Sequence, residues 1–513
     1  MAAPRLLRAF ATVGGWTMVS RITGFVRDIL IGAYLGSSAV AEAFLAAFSL
    51  PNMFRRFFAE GTLNVAFVPM FAKKVEGGED GLDFARDALS GLLFVLVLFT
   101  LMGQIFMPWL VYAMASGFTG GERFDLAVIY GRIAFPYILF ISIAALLSGV
   151  LNALGRFAAA AAAPVLLNVI FIAAMVGGAM LDWDMGLTLA WTVPLAGIGQ
   201  LVLVWIAAAR AGYRLVPRRP VMTPELKRLA VIAAPAALAG GVTQVNLLVG
   251  RQVSSFFEGA FAWLYYADRL YQLPLGVVGI AIGIVLLPDL SRRLRVGDTA
   301  GSREALSRAG ELSLALTIPA SVALIVIPGP LVEVLFQRGA FTADDTARTA
   351  LACAIYGLGL PAFVLAKVLQ PIYFAREDTR TPFRFALVAM VVNALLAVGL
   401  SYWIGFIAAA VGTTVAGWVM TALLWWGSWR MGEETRFDRR FWRRFWRIAA
   451  ASWLMGAVLW IGAVALGPMF GAGALRYLAL ALLVTLGMVA YGMIGQMLGA
   501  FRLGEFKAAM RRG

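Results

Sequence analysis

Residues 20–28 read SRITGFVRD and lie within an otherwise apolar N-terminal segment, residues 10–35. A segment of this length is long enough to cross the roughly 30 Å of hydrocarbon in a bilayer. A charged side chain at the centre of such a helix costs at least about 2.5–3.5 kcal/mol. Arg21, Arg27 and Asp28 therefore predict a membrane-spanning helix whose charges face protein, water or a ligand rather than lipid.

The composition extends this prediction to the whole chain. Of 513 residues, 61% are hydrophobic and only 14% are charged, and the mean hydropathy is +0.84. A soluble chain of this length would have far more polar residues. Apolar runs separated by turn and charge signals predict fourteen helices. Their approximate ranges are 10–35, 41–72, 84–115, 124–153, 157–181, 185–209, 226–255, 261–290, 304–328, 344–374, 382–403, 405–429, 446–466 and 474–500.

The distribution of lysine and arginine supports this count. The two tails and the even-numbered connections hold 31 of these residues, whereas the odd-numbered connections hold four. Because positive residues accumulate on the cytoplasmic side, both termini are predicted to be cytoplasmic. Arg5 and Arg8 before an apolar run also resemble a signal peptide, but no small-residue cleavage site precedes SRITGFVRD. We therefore expect the first helix to be retained.

Several classes of chemistry are excluded or disfavoured by what the sequence lacks. There is no histidine, which excludes histidine acid/base catalysis and histidine metal ligands, and there is no phosphate-binding GxxxxGK[ST] motif. Cys353 is the only cysteine and lies in an apolar helix, where a core position is expected. We expect no cofactor, no bound metal and no enzymatic activity.

The net charge of +15 raises the question of nucleic acid binding. Residues 436–447, RFDRRFWRRFWR, interleave arginine with aromatic residues as some nucleic-acid-binding proteins do. Because this stretch adjoins a predicted span, contact with anionic lipid headgroups is the better interpretation. Membrane lipids, and not nucleic acids, are therefore the expected partners.

Eight cations remain inside the predicted spans. They are Arg21, Arg27, Arg55, Arg56, Arg132, Arg251, Arg269 and Lys367. For Arg132, Arg251 and Lys367, a position near the end of a span or a structural ion pair is an equally good explanation. Arg21, Arg27, Arg55 and Arg269 outnumber the nearby Asp28 and Asp268. Surplus guanidinium suits a multiply charged anion, above all a phosphate, which arginine binds with two parallel hydrogen bonds.

The sequence also contains an internal repeat. Predicted helices 1–6 and 7–12 each begin with a charged pair of helices that includes a Leu-Pro step, at Leu50 and at Leu273. Two six-helix halves of like orientation predict a parallel repeat with the site between them. The predicted domains are residues 1–222, residues 223–432, and residues 433–513 with two additional helices.

Several of these motifs resemble a known family. SRITGFVRD, AEAFLAAFSLPNMFRRFFAEG, the YADRL block, LFQRGAF and AREDTRTP are similar in order and spacing to the MurJ/MviN lipid II flippases of the MOP exporter superfamily. The similarity extends from about residue 15 to residue 430; beyond it, only helix position and hydropathy agree. It implies an all-α polytopic membrane protein with 14 transmembrane helices, arranged as two six-helix lobes around a central cationic cavity plus two extra C-terminal helices.

The resemblance also implies a function. The expected substrate is lipid II, the undecaprenyl-diphosphate-linked disaccharide-peptide precursor of peptidoglycan, moved across the bacterial inner membrane by a protein expected to be monomeric. Matching motif positions, together with neighbouring acidic residues, give the candidate substrate-binding residues. They are Ser20, Arg21, Arg27, Asp28, Glu42, Arg55, Glu60, Asp268 and Arg269.

Two positions depart from the family pattern. Glu42 stands where members often have aspartate, so its carboxylate reaches one methylene further. Asn393 is followed four residues later by Ala397 and not by a carboxylate, so no sodium site is predicted.

Three alternatives remain open from the sequence alone. A related exporter of drugs or of another polyprenyl-diphosphate glycan would share the fold, although surplus arginine argues against cationic drugs. A membrane enzyme acting on lipid diphosphates would need clustered carboxylates for Mg²⁺. The acidic runs at residues 76–80 and 343–345 are instead interpreted as solvated loop charge. A structural scaffold would not explain four arginines in the spans.

Overall fold

The computed structural model describes residues 3–56, 66–77, 81–281, 286–471 and 473–501, and these ranges contain helices, turns and no strand. The chain divides into two compact units. The first comprises Met1–Ala262 together with Gly339–Phe341, and the second comprises Trp263–Arg338 and Thr342–Gly513. These two units do not test the three domains predicted from the repeat, residues 1–222, 223–432 and 433–513, which stay a prediction.

The first unit is built around a layered bundle in which α8 packs between α1 and α9, and α7 also packs on α9. A second contact, between α2 and α6, extends this bundle. The helices of this unit are α1 (Ala3–Leu35), α2 (Ala39–Arg55), α3 (Val68–Glu76), α4 (Gly81–Ile105), α5 (Met107–Met114), α6 (Glu122–Ala134), α7 (Tyr137–Ala153), α8 (Ala158–Met180), α9 (Met185–Arg210) and α10 (Pro224–Ser254).

In the second unit, α15 packs against both α13 and α17, and α18 packs against α13 and α20. Buried Leu314, Val364, Leu369 and Leu483 belong to its continuous apolar core. The helices of this unit are α11 (Ala260–Ala281), whose first three residues belong to the first unit, α12 (Leu287–Arg295), α13 (Thr299–Val326), α14 (Pro328–Phe336), α15 (Ala343–Phe374), α16 (Arg380–Ile404), α17 (Ile407–Ser428), α18 (Arg439–Ala465), α19 (Gly467–Phe470) and α20 (Leu475–Met497).

Proline divides two of the predicted helices. The predicted span 84–115 is α4 followed by α5, and the predicted span 124–153 is α6 followed by α7. Pro108 lies in the first turn of α5, and Pro136 immediately precedes α7. Proline lacks the amide hydrogen that a helix interior requires, so it is favoured at a helix start. The two helices α6 and α7 nevertheless form one segment, Glu122–Ala153, that is long and apolar enough to cross a membrane.

The described residues contain ten helical segments long and apolar enough to cross a membrane. They coincide with ten of the fourteen predicted spans, and the prediction of an all-α polytopic membrane protein is confirmed. The four other predicted spans correspond to α1, to α2 with α3, to α10, and to α11 with α12. Three of these four carry the candidate binding residues, so the least hydrophobic helices are the ones expected to form the site.

A three-residue segment from far along the chain completes the first unit. The amide of Ala340 donates a 2.8 Å hydrogen bond to the carbonyl of Ala33, near the end of α1. Gly36 and Gly339 flank this contact with φ of 59° and 58°. A Cβ atom on Gly339 would lie 2.1 Å from the Ala33 oxygen. Both positions therefore require glycine, because of their backbone conformation and because of the close approach.

Candidate functional site

Arg27 is buried in the first unit and held by several groups. Its side chain is 10% exposed and that of Asp28 is 3% exposed. Nε and Nη2 of Arg27 donate to Oδ1 of Asp28 at 3.0 and 2.8 Å. The guanidinium also lies 5.7 Å from the ring centroid of Phe48 and 5.6 Å from that of Phe171. Ionic and cation–π contacts together offset the cost of burying this charge.

Asn168 of α8 connects Arg27 to the preceding turns of α1. Its Oδ1 accepts a 3.0 Å hydrogen bond from Nη1 of Arg27. Its Nδ2 donates to the carbonyl of Ser20 at 3.0 Å and to the hydroxyl of Thr23 at 3.2 Å. Gly24 permits this approach, since a Cβ atom there would lie 3.3 Å from Nδ2 of Asn168. One buried amide thus fixes both the helix and the guanidinium.

Arg21 has different surroundings on the same helix. It is half-buried, and its Nε is covered and has no hydrogen-bond partner. No hydrogen bond or ion pair of Arg21 is present among the residues that the structure describes. Arg21 thus differs from Arg27, whose guanidinium is paired with Asp28 and Asn168.

The arginines of α2 lie at its C-terminal end. Arg55 is the last residue of the helix and is half-buried, whereas Arg56 is exposed. Nη1 of Arg56 donates to Oε1 of Gln244 at 3.4 Å. Glu60, another of the predicted substrate-binding residues, lies outside the described residues.

Glu42 is bound by other groups of the first unit. Its side chain is 1% exposed and lies 3.0 Å from Nη1 of Arg123 at the start of α6. Its second oxygen accepts the backbone amide of Phe261 at 3.0 Å. Arg123 also stacks over Phe118, with 4.8 Å from the guanidinium carbon to the ring centroid. In this arrangement the carboxylate holds α2, α6 and the first turn of α11 together.

Asp268 and Arg269 lie side by side on α11 and are described within the second unit. Both are half-buried. The guanidinium of Arg269 lies 4.4 Å from the ring centroid of Tyr265, one helical turn earlier. Asp268 accepts a hydrogen bond from the side-chain amide of Gln272, one turn later. The aromatic ring and the amide orient the two charges along one helix.

The structure thus brings Ser20, Arg27 and Asp28 together through Asn168, and it places Glu42 in a separate ion pair. The sequence analysis missed Asn168 and the rings of Phe48 and Phe171. Asn168 is a single amide in the otherwise apolar run PVLLNVIFI. A polar residue inside a span is itself a sign of a structural or functional contact, and this sign was present in the sequence.

The surroundings of the acidic run at residues 343–345 differ from those predicted from the sequence. Asp345 was expected to be solvated loop charge, but it is 4% exposed. Its Oδ1 accepts a 2.7 Å hydrogen bond from the indole of Trp263. It also forms a capping box with Thr342 at the start of α15. Helix capping and the indole bond satisfy the buried carboxylate, so this part of the prediction was wrong.

The AREDTRTP motif forms the turn between α15 and α16. Oδ1 of Asp378 accepts the backbone amides of Arg380 and Thr381 at 3.1 and 3.0 Å. Hydrogen bonds from Thr381 lower the pKa of Asp378 below its usual value. Arg376 pairs with Glu434 at 2.7 Å. The motif's charges therefore cap a helix start and bind the connection that follows α17.

The fold of this chain, a bundle of apolar helices with arginine in its least hydrophobic spans, is similar to that of transporters of the MOP superfamily. An inward-facing multidrug resistance MATE family transporter of that superfamily is similar over 82% of this chain and 98% of its own, with a TM-score of 0.65 and 16% identity. A lipid II flippase MurJ in an inward closed conformation is similar over 94% of this chain and 98% of its own, with a TM-score of 0.79 and 23% identity.

The model of the family "Lipid II flippase MurJ" matches residues 31–489, and the chain belongs to this family. A "Probable lipid II flippase MurJ" of Rhizobium meliloti (strain 1021) is 47% identical over 83% of this chain and 82% of its own. A "Lipid II flippase MurJ" of Burkholderia cenocepacia is 37% identical over 76% of this chain and 77% of its own. The resemblance predicted from the motifs is confirmed. A family described as flippases also agrees with the prediction of a transport protein and not an enzyme.

Proposed function

We propose that this protein moves the lipid-linked precursor of peptidoglycan, a disaccharide-peptide on undecaprenyl diphosphate, from the cytoplasmic to the periplasmic leaflet by alternating access. Membership of the lipid II flippase family supports the substrate. The fold shared with MOP transporters supports the transport mechanism. We further propose that the protein is located in the bacterial inner membrane and is monomeric. The three predicted domains, residues 1–222, 223–432 and 433–513, are proposed to be the parts that move relative to one another during transport.

The observation that carries the proposal is the contrast between two arginines of α1. Arg27 is engaged by Asp28 and Asn168, whereas Arg21 has no ion pair or hydrogen bond among the described residues. A half-buried guanidinium in a membrane span is costly unless an anion compensates for its charge. The diphosphate of a polyprenyl carrier is an anion of suitable charge and geometry.

The proposed roles follow from these surroundings. Arg21, Arg55 and Arg269 contact the diphosphate, while Arg27, Asp28 and Ser20 hold the wall of the site in shape. Glu42, Glu60 and Asp268 stay in the proposed set as carboxylates that limit how much positive charge the site carries. That these residues face one cavity is part of the proposal.

Replacement of Arg21 tests the proposal directly. Arg21→Ala should abolish translocation at normal membrane levels and weaken binding of lipid diphosphate more than tenfold, since one charge-assisted contact is worth roughly 1.5–3 kcal/mol. Arg21→Lys should rescue only in part, because an ammonium replaces a two-pronged fork. The matched control is Arg132→Ala, which removes an exposed arginine from another span. Full precursor translocation by Arg21→Ala in complemented cells would contradict the mechanism.

The carrier's specificity is tested with purified protein in vesicles. Binding of undecaprenyl diphosphate should exceed binding of the monophosphate and of cationic dyes. Preference for the dyes would support a drug exporter instead. Equal binding of unrelated polyprenyl-diphosphate glycans would support a flippase of another glycan.

We also propose that both termini are cytoplasmic, because 31 lysines and arginines lie on that predicted side and four on the other. Reporter fusions at residues 120 and 183 should be located outside, and a fusion at residue 513 should be located inside. A reversed location at any of the three would show that the number of spans is wrong.

A further inference from the structure

The first two turns of α18 present a mixed cationic and aromatic surface. Arg439, Trp442, Arg443 and Trp446 are all exposed. Their spacing of three and four residues places them on one face of the helix. We call these four residues the arginine–tryptophan face. Neither arginine of this face has an ion pair or a hydrogen bond among the described residues.

The adjoining face of the same turns, which carries Arg440 and Arg444, is bound to α13 by ion pairs. Glu311 of α13 is 6% exposed, and its carboxylate lies 3.1 Å from Nη1 of Arg444 and 3.7 Å from Nε of Arg440. Arg308 pairs with both Glu311 and Asp438. Shared ion pairs of this kind prevent α18 from rotating about its axis. The arginine–tryptophan face is therefore held outward by the packing of its own helix.

Aromatic contacts order the indoles of this face. The ring of Trp442 stacks on that of Trp425 of α17, with a centroid distance of 5.5 Å. Phe445 contacts the rings of both Trp442 and Trp446. Trp446 nevertheless remains 67% exposed. A large apolar ring that is ordered yet exposed at this position indicates a partly apolar neighbour.

The same helix face becomes wholly apolar further along α18. Trp453 and Trp460 are 57% and 61% exposed, and they lie about two and about four turns beyond Trp446. Charged residues followed by exposed tryptophan and then by an apolar face are typical of a helix crossing from headgroups into hydrocarbon. The arginine–tryptophan face is thus at the depth of lipid phosphates.

We propose that the arginine–tryptophan face binds the phosphate of an anionic phospholipid in the cytoplasmic leaflet. Arg439 and Arg443 are one turn apart, with about 5–6 Å between their Cβ atoms, so that two guanidiniums surround one phosphodiester. Trp442 and Trp446 contact the glycerol and upper acyl chain. The bound lipid is a resident of the membrane and distinct from the transported precursor. The proposal rests on the cytoplasmic orientation proposed above.

The test uses the full-length protein in phosphatidylcholine vesicles with spin-labelled phosphatidylglycerol or spin-labelled phosphatidylcholine. The measured quantity is the preference of the protein-associated lipid population for the anionic label. A basic residue near an anionic surface contributes about 1 kcal/mol, or about fivefold. Arg439→Gln with Arg443→Gln should reduce the preference at least fivefold. Thermal unfolding of each variant checks that the fold is retained.

A matched control separates a defined site from bulk charge. Arg292→Gln with Arg436→Gln removes the same net charge from the same predicted side, but those arginines already pair with Asp289 at 2.9 Å and Glu433 at 2.5 Å. This control should change the preference less than twofold. An equal loss of preference in both double variants would show that the preference comes from bulk charge and not from a defined site. An unchanged preference in the Arg439→Gln, Arg443→Gln variant would also refute the site.

One further measurement distinguishes a resident anionic phospholipid from the transported diphosphate lipid as the source of the bound phosphate. Undecaprenyl diphosphate added to the vesicles should leave the anionic label bound, and displacement of the label would assign this face to the substrate path instead. Arg21→Ala should keep the anionic preference whether or not it transports. The translocation measurement tests the transport proposal and the label preference tests the phospholipid site, so either proposal can be refuted without the other.

Discussion

Arg27 and Arg21 lie less than two turns apart on α1, but the groups that surround their side chains differ. Arg27 is enclosed by a carboxylate, an amide and two aromatic rings. Arg21 is half-buried and has no such set of partners among the described residues. The difference indicates two uses of the same side chain. The guanidinium of Arg27 belongs to the structure of the first unit, and that of Arg21 is the one we propose to bind a ligand.

This separation has an energetic reason. Removing one partner of a buried ion pair leaves an uncompensated charge, which costs far more than the intact pair contributes. An arginine that must remain available for a ligand cannot also be required for folding in this way. We therefore expect substitutions around Arg27 to affect stability strongly and substitutions of Arg21 to affect it little.

The largest loss of stability is expected for Asp28→Ala. This change leaves Arg27 buried without its carboxylate and should lower the free energy of unfolding by about 3–5 kcal/mol. Chemical unfolding in detergent micelles measures the loss. Glu433→Ala serves as a control, since its carboxylate is 63% exposed and such surface pairs contribute about 0–1 kcal/mol. Similar losses for both variants would remove the distinction between the two arginines.

A smaller loss is expected for Asn168→Ala. The change removes the acceptor of Arg27 and the donor to the Ser20 carbonyl, and should cost about 1–3 kcal/mol. Thr23→Val removes the hydroxyl that accepts from Asn168 and donates to the Val19 carbonyl of the same helix. It should cost less because Arg27 keeps its amide acceptor. The same unfolding measurement applies. If Asn168→Ala matched the wild type, α1 would not depend on this amide.

Asp378 is a charged residue outside the predicted spans, and its hydrogen-bond partners are backbone amides. Asp378→Ala removes this cap of α16 and should cost about 1 kcal/mol at neutral pH. The folded pKa of Asp378 is lowered, so its contribution is complete above the unfolded value of about 3.9. The contribution is lost as the pH falls through the folded pKa. Unfolding measured from pH 7 downwards should show the variant and the wild type converging.

The smallest effect on stability is expected for Arg21→Ala. Because Arg21 makes no described ion pair, its loss should lower the free energy of unfolding by no more than about 0.5 kcal/mol. Unfolding of the ligand-free protein measures this change. A loss above 2 kcal/mol would mean that Arg21 has a structural role like that of Arg27.

The sequence allowed the positions of these charges to be predicted, but not most of their partners. Arginine inside an apolar run is visible directly, and so is the alternation of positive loops. Asn168 lies about 140 residues from Arg27 in the chain, and helical periodicity does not indicate which helices pack together. Asp345 looked like a loop charge because its cap and its bond to Trp263 depend on the fold of the second unit. Tertiary contacts decide such cases.

The segment Gly339–Phe341 has a consequence for the order of synthesis. The bond between Ala340 and Ala33 joins residues about 300 positions apart, and contacts of such separation form late in folding. The ribosome must pass residue 341 before the end of α1 receives its last backbone partner. A chain truncated after Ala262 therefore lacks part of the first unit even though every helix of that unit is present. Newly inserted chains pass through this incomplete stage during each round of translation.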